Sequence, residues 1–328
     1  MQVVSIIIPV YNAQLYIERC LKSLLAQDYE YIEIILINDG STDKSGDICE
    51  KYALKYKNIK SYTIENKGVS AARNYGMKCM NENGWLMFVD ADDYVESDYV
   101  SIMVRFAEKY KESLIGCHSI RENQQGKVMI FHKKNNAPES FEMEQKFYSI
   151  RDSEKLSGAV WNKIYSKEIL LKNNIQFDEQ VKIYEDLLFN ITYVNYVKST
   201  YLIANDLYHY VVNKDSAMMS NKFSKEKWKT IFWALKEIQL YIPKEYIDIK
   251  QAFDADYFRD LLSYWIIMYK SGQYEKPSRE EKSELKEKKM NIKQCGIKSI
   301  CMYYGILYMP AVIYSLVRCK LLVKDLLE

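Results

Sequence analysis

The sequence predicts an α/β fold: a mostly parallel sheet flanked by helices, followed by a helical C-terminal region. Three observations carry this expectation. Over the first hundred or so residues, short apolar runs alternate with stretches of helical periodicity. Each of those runs is followed by a polar cluster. From Ser224 to Met268 apolar residues recur at helical spacing with no strand pattern between them. Strands that are apolar on both faces belong to parallel sheets covered by helices on both sides.

The elements follow in order. Val3 to Ile8 reads as a buried strand closed by Pro9. A helix is expected from about Ala13 to Gln27, with Ile17, Cys20, Leu21, Leu24 and Leu25 on one face. Tyr31 to Ile37 is the second strand, and Asn38 to Asp43 is a polar turn that caps a helix starting near Lys44. The third strand spans about Lys60 to Ile64, followed by Asn66-Lys67-Gly68 and a helix from Val69 to Met80. Trp85 to Val89 is the fourth strand, and Asp90, Asp92 and Asp93 come directly after it. In a parallel sheet these polar clusters share the carboxyl edge, where α/β folds bind ligands. GxGxxG and GxxxxGK[ST] are both absent, so neither a dinucleotide fingerprint nor a P-loop is supported.

Composition narrows the class. The chain has 328 residues, 48% hydrophobic and 27% charged, as expected of a folded protein. A net charge of +2 gives no electrostatic case for nucleic acid. The 7 cysteines are scattered without a CxxC pair, which points to a reduced, cytosolic protein without a zinc or disulfide framework. The start MQVVSIIIPV lacks the pattern of a cleavable signal. Tyr is abundant, at 29, and suits both sugar-stacking surfaces and membrane interfaces.

The acidic cluster after the fourth strand is the first chemical signal. Three carboxylates within four positions repel one another, and a hard divalent cation relieves that repulsion. Such a cation is held by one or two carboxylates together with substrate phosphates. The competing reading is an acidic turn capping the next helix. The motif alone does not choose between them.

Four ordered segments add to that reading: SIIIPVYNA (Ser5 to Ala13), IILINDGSTD (Ile34 to Asp43), NKGVSAARNYG (Asn66 to Gly76) and FVDADD (Phe88 to Asp93). Together they resemble the family 2 glycosyltransferases of GT-A fold, Rossmann-like enzymes that include the bacterial surface-polysaccharide type. The resemblance implies that Asp39 accepts a hydrogen bond from the uracil of a UDP-sugar, with Pro9, Tyr11 and Asn12 around the nucleoside. It implies that Lys67 and Arg73 are cations near the phosphates, although Arg73 could equally fix the acidic loop by a salt bridge. Asp90, with Ala91 beside it, is implied as a ribose contact. Asp92, and with it Asp93, is implied as a ligand of Mn²⁺ or Mg²⁺, with His209 as a third ligand or a phosphate contact, or else an ordinary half-buried histidine. Glu185-Asp186 opens a helix and resembles the family's acidic pair, which implies Asp186 as general base and Glu185 as its support. Acids in the first turn of a helix also occur for dipole reasons alone.

Further along, a helix is expected from about Ser97 to Lys111, a strand from Leu114 to Ile120, and a hairpin at Gln124-Gln125-Gly126 into Val128 to Phe131. Val160 to Tyr165 resembles a family segment lining the site, where Trp161 either stacks on a sugar or packs in the core. Asp215 to Met218 resembles a segment that closes the donor site. A catalytic domain is expected over 1–220, with a nucleotide half to about 112 and an acceptor half from 113. A helical region follows over 221–328, with a break at Ile242-Pro243. Ile300 to Val317 carries no charge and is flanked by basic residues on both sides. That favours a segment lying in an anionic membrane interface over a span, and a packed helical hairpin is the alternative. The resemblance implies an inverting, metal-dependent transfer of a sugar from a UDP-sugar to a saccharide or lipid-linked saccharide acceptor, at the inner face of the cell membrane, in surface-glycan synthesis. A sugar nucleotidyltransferase would carry a Gly-rich, Lys-bearing loop where this chain has Pro9-Val10-Tyr11-Asn12. A non-catalytic UDP-sugar-binding scaffold would lack the acids.

Overall fold

A computed structural model describes residues 2–130, 139–142, 145–152, 155–213, 225–272, 274–287 and 296–317. The chain divides into two compact units, Met1–Ser220 and Asn221–Glu328.

The first unit opens with β1 (Val4–Val10), α1 (Ile17–Leu25), β2 (Ile32–Asp39), α2 (Ser45–Lys55), β3 (Ile59–Ile64), α3 (Val69–Cys79) and β4 (Trp85–Phe88). These strands lie in the order β3-β2-β1-β4, all parallel. β2 is buried along its whole length, as its two-faced apolar sequence requires. Pro9 sits inside β1 without disturbing the ladder. Ile7 accepts from Val89 N–H on the β4 side, so the N–H that Pro9 lacks would point beyond the last β4 pair, Ile7 with Phe88. Gly76 of α3 lets the helix approach β1 closely, because a Cβ there would collide with the Ile7 side chain.

Next come β5 (Tyr94–Val95), α4 (Tyr99–Lys109), β6 (Ser113–Asn123), β7 (Val128–Ile130), β8 (Glu139–Glu142), α5 (Gln145–Arg151), β9 (Lys163–Ser166), α6 (Lys167–Lys172), α7 (Glu185–Val194) and β10 (Ser199–Val212). The sheet continues β4-β9-β6-β10-β5, with β9 antiparallel to both β4 and β6 and β10 parallel to β6. The sequence did not predict β9 or β10 as strands. β10 is 14 residues long, and its register against β6 shifts between Ile203 and Tyr208. Such irregularities bend a strand and re-aim its side chains. Here the bent end runs past the loop that follows β4.

A buried polar network ties β1, β2 and α6. Lys167 Nζ donates to Ser5 Oγ at 2.6 Å and to the Asn83 carbonyl at 3.1 Å, and lies 3.9 Å from Glu33 Oε1. Glu33 accepts from Ser5 Oγ, from Asn81 N–H at 2.8 Å and from Lys60 Nζ at 3.1 Å. Burial pushes Lys167 down to about 8, against the pull of Glu33. Burial also opposes ionisation of Glu33, but its hydrogen bonds from Asn81, Ser5 and Lys60 hold it below the usual range. Glu33→Ala strands Lys167 without its counter-charge. It is expected to lower the unfolding free energy by about 3 kcal/mol, read from urea denaturation midpoints.

In the second unit, α8 (Lys225–Tyr241) and α9 (Ile247–Lys270) pack together, with the Phe232 ring 5.3 Å from that of Tyr257 and 5.9 Å from that of Tyr264 between ring centres, and Ile231, Leu235, Ile238, Phe258, Leu261 and Trp265 are buried. α8 ends just before Ile242-Pro243, where Pro removes a helical N–H. α10 (Arg279–Glu287) and α11 (Gly296–Tyr308) follow. The uncharged stretch is not one helix: α11 stops at Tyr308, Met309 is non-helical, and residues 310–317 are helical again. Among the described residues no helix is long and apolar enough to cross a membrane.

Candidate active site

The loops at the carboxyl ends of β1 and β2 are laced together. Asn12 takes a positive φ of 49°, and its N–H donates to Ser41 Oγ at 3.1 Å. Its Oδ1 accepts from Thr42 N–H at 2.8 Å. Ala13 and Gln14 donate to Ser45 Oγ and Asp43 Oδ2 at 2.8 and 3.1 Å. Tyr11, at the rim, is 52% exposed and free to present its ring. Pro9, by contrast, stays within β1 against Ile37.

Asp39, at the end of β2, is buried and acts on the neighbouring loop. Its two oxygens accept from Lys67 N–H and Gly68 N–H, both at 2.9 Å. This fixes the N-terminus of α3, where Gly68 takes a φ of 94° that a side chain would strain. Each carboxylate oxygen keeps a second lone pair for another donor. The Lys67 side chain is exposed at this edge.

Arg73, on α3, takes the second of its two expected roles: it is buried among carboxylates and bonds the acidic loop through Asp90. Its Nη1 lies 2.5 Å from Asp186 Oδ1 and 3.7 Å from Glu185 Oε1, and its Nη2 lies 3.1 Å from Asp90 Oδ1. The guanidinium is 3% exposed and sits over the rings of Phe88 and Phe177, 6.0 and 5.3 Å from their centres. Three acids from two distant parts of the chain therefore meet on one cation. Tyr184, at the cap of α7, takes a left-handed conformation with φ 72°, and the Glu185-Asp186 pair follows it directly.

The acidic loop departs from expectation. Asp93 is buried, with Oδ1 accepting from Val211 N–H and Oδ2 from Tyr208 O–H, both at 2.8 Å. Burial and the neighbouring charges of Asp92 and Asp90 push its carboxyl well up. His209 stacks on Tyr94, with ring centres 4.1 Å apart, and its Nε2 pairs with Glu96 Oε1 at 2.8 Å. The expected trio Asp92, Asp93 and His209 is therefore not assembled, because β10 uses Asp93 as a structural acceptor and Glu96 engages the imidazole. Among the described residues no group of three or more His, Cys, Asp or Glu side chains is arranged to hold a metal ion. Ala91 is buried and contributes backbone only to this turn.

Asp90 and Asp92 are different. Asp92 Oδ2 accepts from Asn213 at 2.6 Å, and its carbonyl accepts from Arg19 Nη2 at 2.7 Å. Asp90 uses one oxygen on Arg73. The second oxygen of Asp90 stands outside this ion pair, and Asp92 also accepts from its own backbone N–H. Burial and then the charge of Asp90 raise the Asp92 carboxyl above its usual range. Two crowded carboxylates of this kind fit a hard divalent cation whose other ligands are phosphate and water.

The base candidates are raised too. Burial, then the charge of Asp186, push Glu185 up to about 7, against the pull of Arg73. Burial raises Asp186, opposed first by Arg73. Lys163, which the sequence reading passed over, lies beneath them. Its Nζ donates to the carbonyls of Leu156 and Ala159 and to Asn162 Oδ1, at 2.6, 2.5 and 2.8 Å. Burial pushes this lysine down to about 7, while nearby Asp186 favours its charged form. It pins the turn from which the Val160 backbone reaches Asp186. Tyr208, Asn213 and Arg19 were likewise missed as supports of the acidic loop. Trp161 stacks on Tyr208 and Tyr210, with ring centres 4.4 and 5.6 Å apart, and so packs within the protein. Asp215 to Met218 lie outside the described residues.

Comparison with known proteins places this geometry. Residues 5–171, just over half the chain, match the model of the family described as Glycosyl transferase family 2. A Bacillus subtilis protein named as the uncharacterized glycosyltransferase EpsJ is 33% identical over 65% of this chain and 62% of its own length. The minor teichoic acid biosynthesis protein GgaB of the same organism is 35% identical over 67% of this chain and 24% of its own. The matches thus span under two thirds of these relatives' lengths. Crystal structures of Staphylococcus aureus TarS 1–349 with UDP and with UDP-GlcNAc superpose with TM-scores of 0.63, at 18 and 19% identity, each over 93% of this chain and 90% of theirs, a likeness of fold. The ordered loops of the carboxyl edge and the family match over them agree: this chain belongs to glycosyl transferase family 2.

Proposed function

We propose that this protein is an inverting glycosyltransferase that moves a sugar from a UDP-sugar to a hydroxyl of a saccharide or lipid-linked saccharide, in synthesis of a bacterial surface polymer. The observation that carries the reading is the Arg73 constellation. It holds Asp90, at the edge where a diphosphate would lie, and Asp186, a base candidate, on one guanidinium. The donor class is supported by TarS, crystallised with UDP and with UDP-GlcNAc. The polymer class is supported by the name of GgaB.

In this reading Tyr11 and Asn12 border the nucleoside, with Asp39 holding the loop against it, and Lys67 offers a cation to the phosphates. Asp90 and Asp92 would hold Mn²⁺ or Mg²⁺, and the ion would neutralise the departing diphosphate. The acceptor oxygen bonds to the anomeric carbon as the bond from that carbon to the UDP oxygen breaks. The acceptor proton passes to Asp186, and the charge on the developing oxocarbenium-like centre is relieved as the new bond forms. One displacement inverts the anomeric centre, so an α-linked donor yields a β-glycoside.

The test is a panel of UDP-sugars assayed for Mn²⁺-dependent UDP release, with Asp92→Ala beside the wild type. Asp92→Ala is expected to lose roughly 10²-fold or more of turnover at fixed Mn²⁺. Absence of UDP-sugar binding by calorimetry, with and without metal, would overturn the reading.

A further inference from the structure

The uncharged stretch 300–317 turns a sharp corner at its middle. Met309 N–H donates to the Gly305 carbonyl at 2.8 Å, and Val312 and Ile313 N–H donate to the Met309 carbonyl at 3.0 and 3.2 Å. Eight positions along a straight helix lie about 12 Å apart. Here the Ile313 side chain occupies the space where a Gly305 Cβ would stand. The chain must therefore bend at Met309-Pro310, and Gly305 and Ile313 fill the inside of the bend.

One side of this corner is packed. Tyr303, Ile306 and Leu307 are buried, with Tyr303 against Phe258 and Tyr314 against Tyr269, ring centres 5.4 and 5.5 Å apart. The rest of the corner is apolar and open: Tyr308, Met309, Val312 and Leu316 are 65, 55, 50 and 61% exposed. Single exposed apolar residues are ordinary, but a contiguous uncharged set at a protruding bend marks a contact surface. The sequence just outside it is basic on both sides, with Lys293 and Lys298 before and Arg318, Lys320 and Lys324 after.

We infer that the corner at Tyr308–Val312 inserts into the interface of an anionic lipid leaflet. A spanning helix sends its two flanks to opposite sides of a bilayer, so basic residues on both sides fit it poorly. Basic residues on both sides of an interfacial segment suit a single negatively charged surface. Tyr308 suits the boundary, with an apolar ring and a hydroxyl that stays wet. The inference does not rest on the transferase reading, because it concerns the second unit and is read by lipid binding alone.

The experiment is sedimentation of the whole chain with sucrose-loaded vesicles of phosphatidylcholine, with and without phosphatidylglycerol. Partitioning is expected to be roughly tenfold or more greater with the anionic lipid and to weaken as salt is raised. Met309→Glu with Val312→Glu, both at exposed positions, is expected to reduce it roughly tenfold without moving the thermal unfolding midpoint. Arg318→Glu with Lys320→Glu is expected to remove the preference for anionic lipid. Absence of binding, equal binding to both vesicles, or binding indifferent to the corner substitutions overturns the inference. So does a wild-type dimer that the corner substitutions convert to monomer, since a second copy would then cover this surface.

Discussion

Asp186→Asn is expected to lower the rate of sugar transfer by about 10³-fold while leaving UDP-sugar affinity within about threefold. Asn keeps the size of the side chain and an oxygen that can accept from Arg73 Nη1, so the α7 terminus is held. It has no carboxylate to take the acceptor proton. The wild-type pH profile is tied to the same residues. A base works when deprotonated, so activity rises with pH as the Glu185-Asp186 pair ionises. Burial raises both groups and sets Glu185 at about 7, so the acid limb is expected near neutrality rather than in the ordinary carboxylate range. The two acids interact, so the limb belongs to the pair. Single-turnover kinetics across pH 5 to 9, with titration of the donor by calorimetry, separate the two effects. Turnover unchanged in Asp186→Asn rejects it as the base.

What the sequence showed of this site depended on distance along the chain. β1, β2 and β4 were legible as mostly apolar runs and β3 by its place in the strand–helix alternation, and their loops because Asn, Asp and Gly mark turns. Arg73 and Asp186 were both singled out, but nothing local pairs residues 113 positions apart, and the buried ion pair appeared only in the structure. The different surroundings of Asp92 and Asp93 were hidden for the same reason. They are set by Tyr208, Val211 and Asn213 at and just after the end of β10. β10 escaped notice because Asn205-Asp206 interrupts its apolar pattern at the point where its register shifts. β9 escaped because it is four residues long and begins with Lys163, a charge that reads as surface until three buried acceptors are found around it. The resemblance implies a ligand or phosphate contact at His209, whereas the strand pairing of His209 with Tyr94 sets it against that ring and beside Glu96, in the ordinary packed setting that was the alternative.

Arg73→Met is expected to be the most destabilising substitution in the first unit. Methionine fills much of the space over Phe88 and Phe177 but leaves Asp90, Glu185 and Asp186 facing one another without a cation. Breaking a buried ion pair from one side costs about 3 kcal/mol or more. The loss should depend on pH, and its sign follows from the acids. Burial already holds Glu185 and Asp186 above their unfolded values, and Arg73 is the group that pulls them back down. Without it their folded pKa values rise further. A carboxyl raised on folding contributes stability that is fully present below its unfolded pKa and is lost as pH rises through the folded one. The variant should therefore come nearest to the wild type at about pH 4 and fall away from it through pH 7 and above. Urea denaturation of both proteins at pH 5 and pH 8 measures this directly. A pH-independent difference would mean that Arg73 acts through packing alone. In whatever activity the variant retains, the acid limb should lie at higher pH than in the wild type, because the base ionises later when its cation is gone.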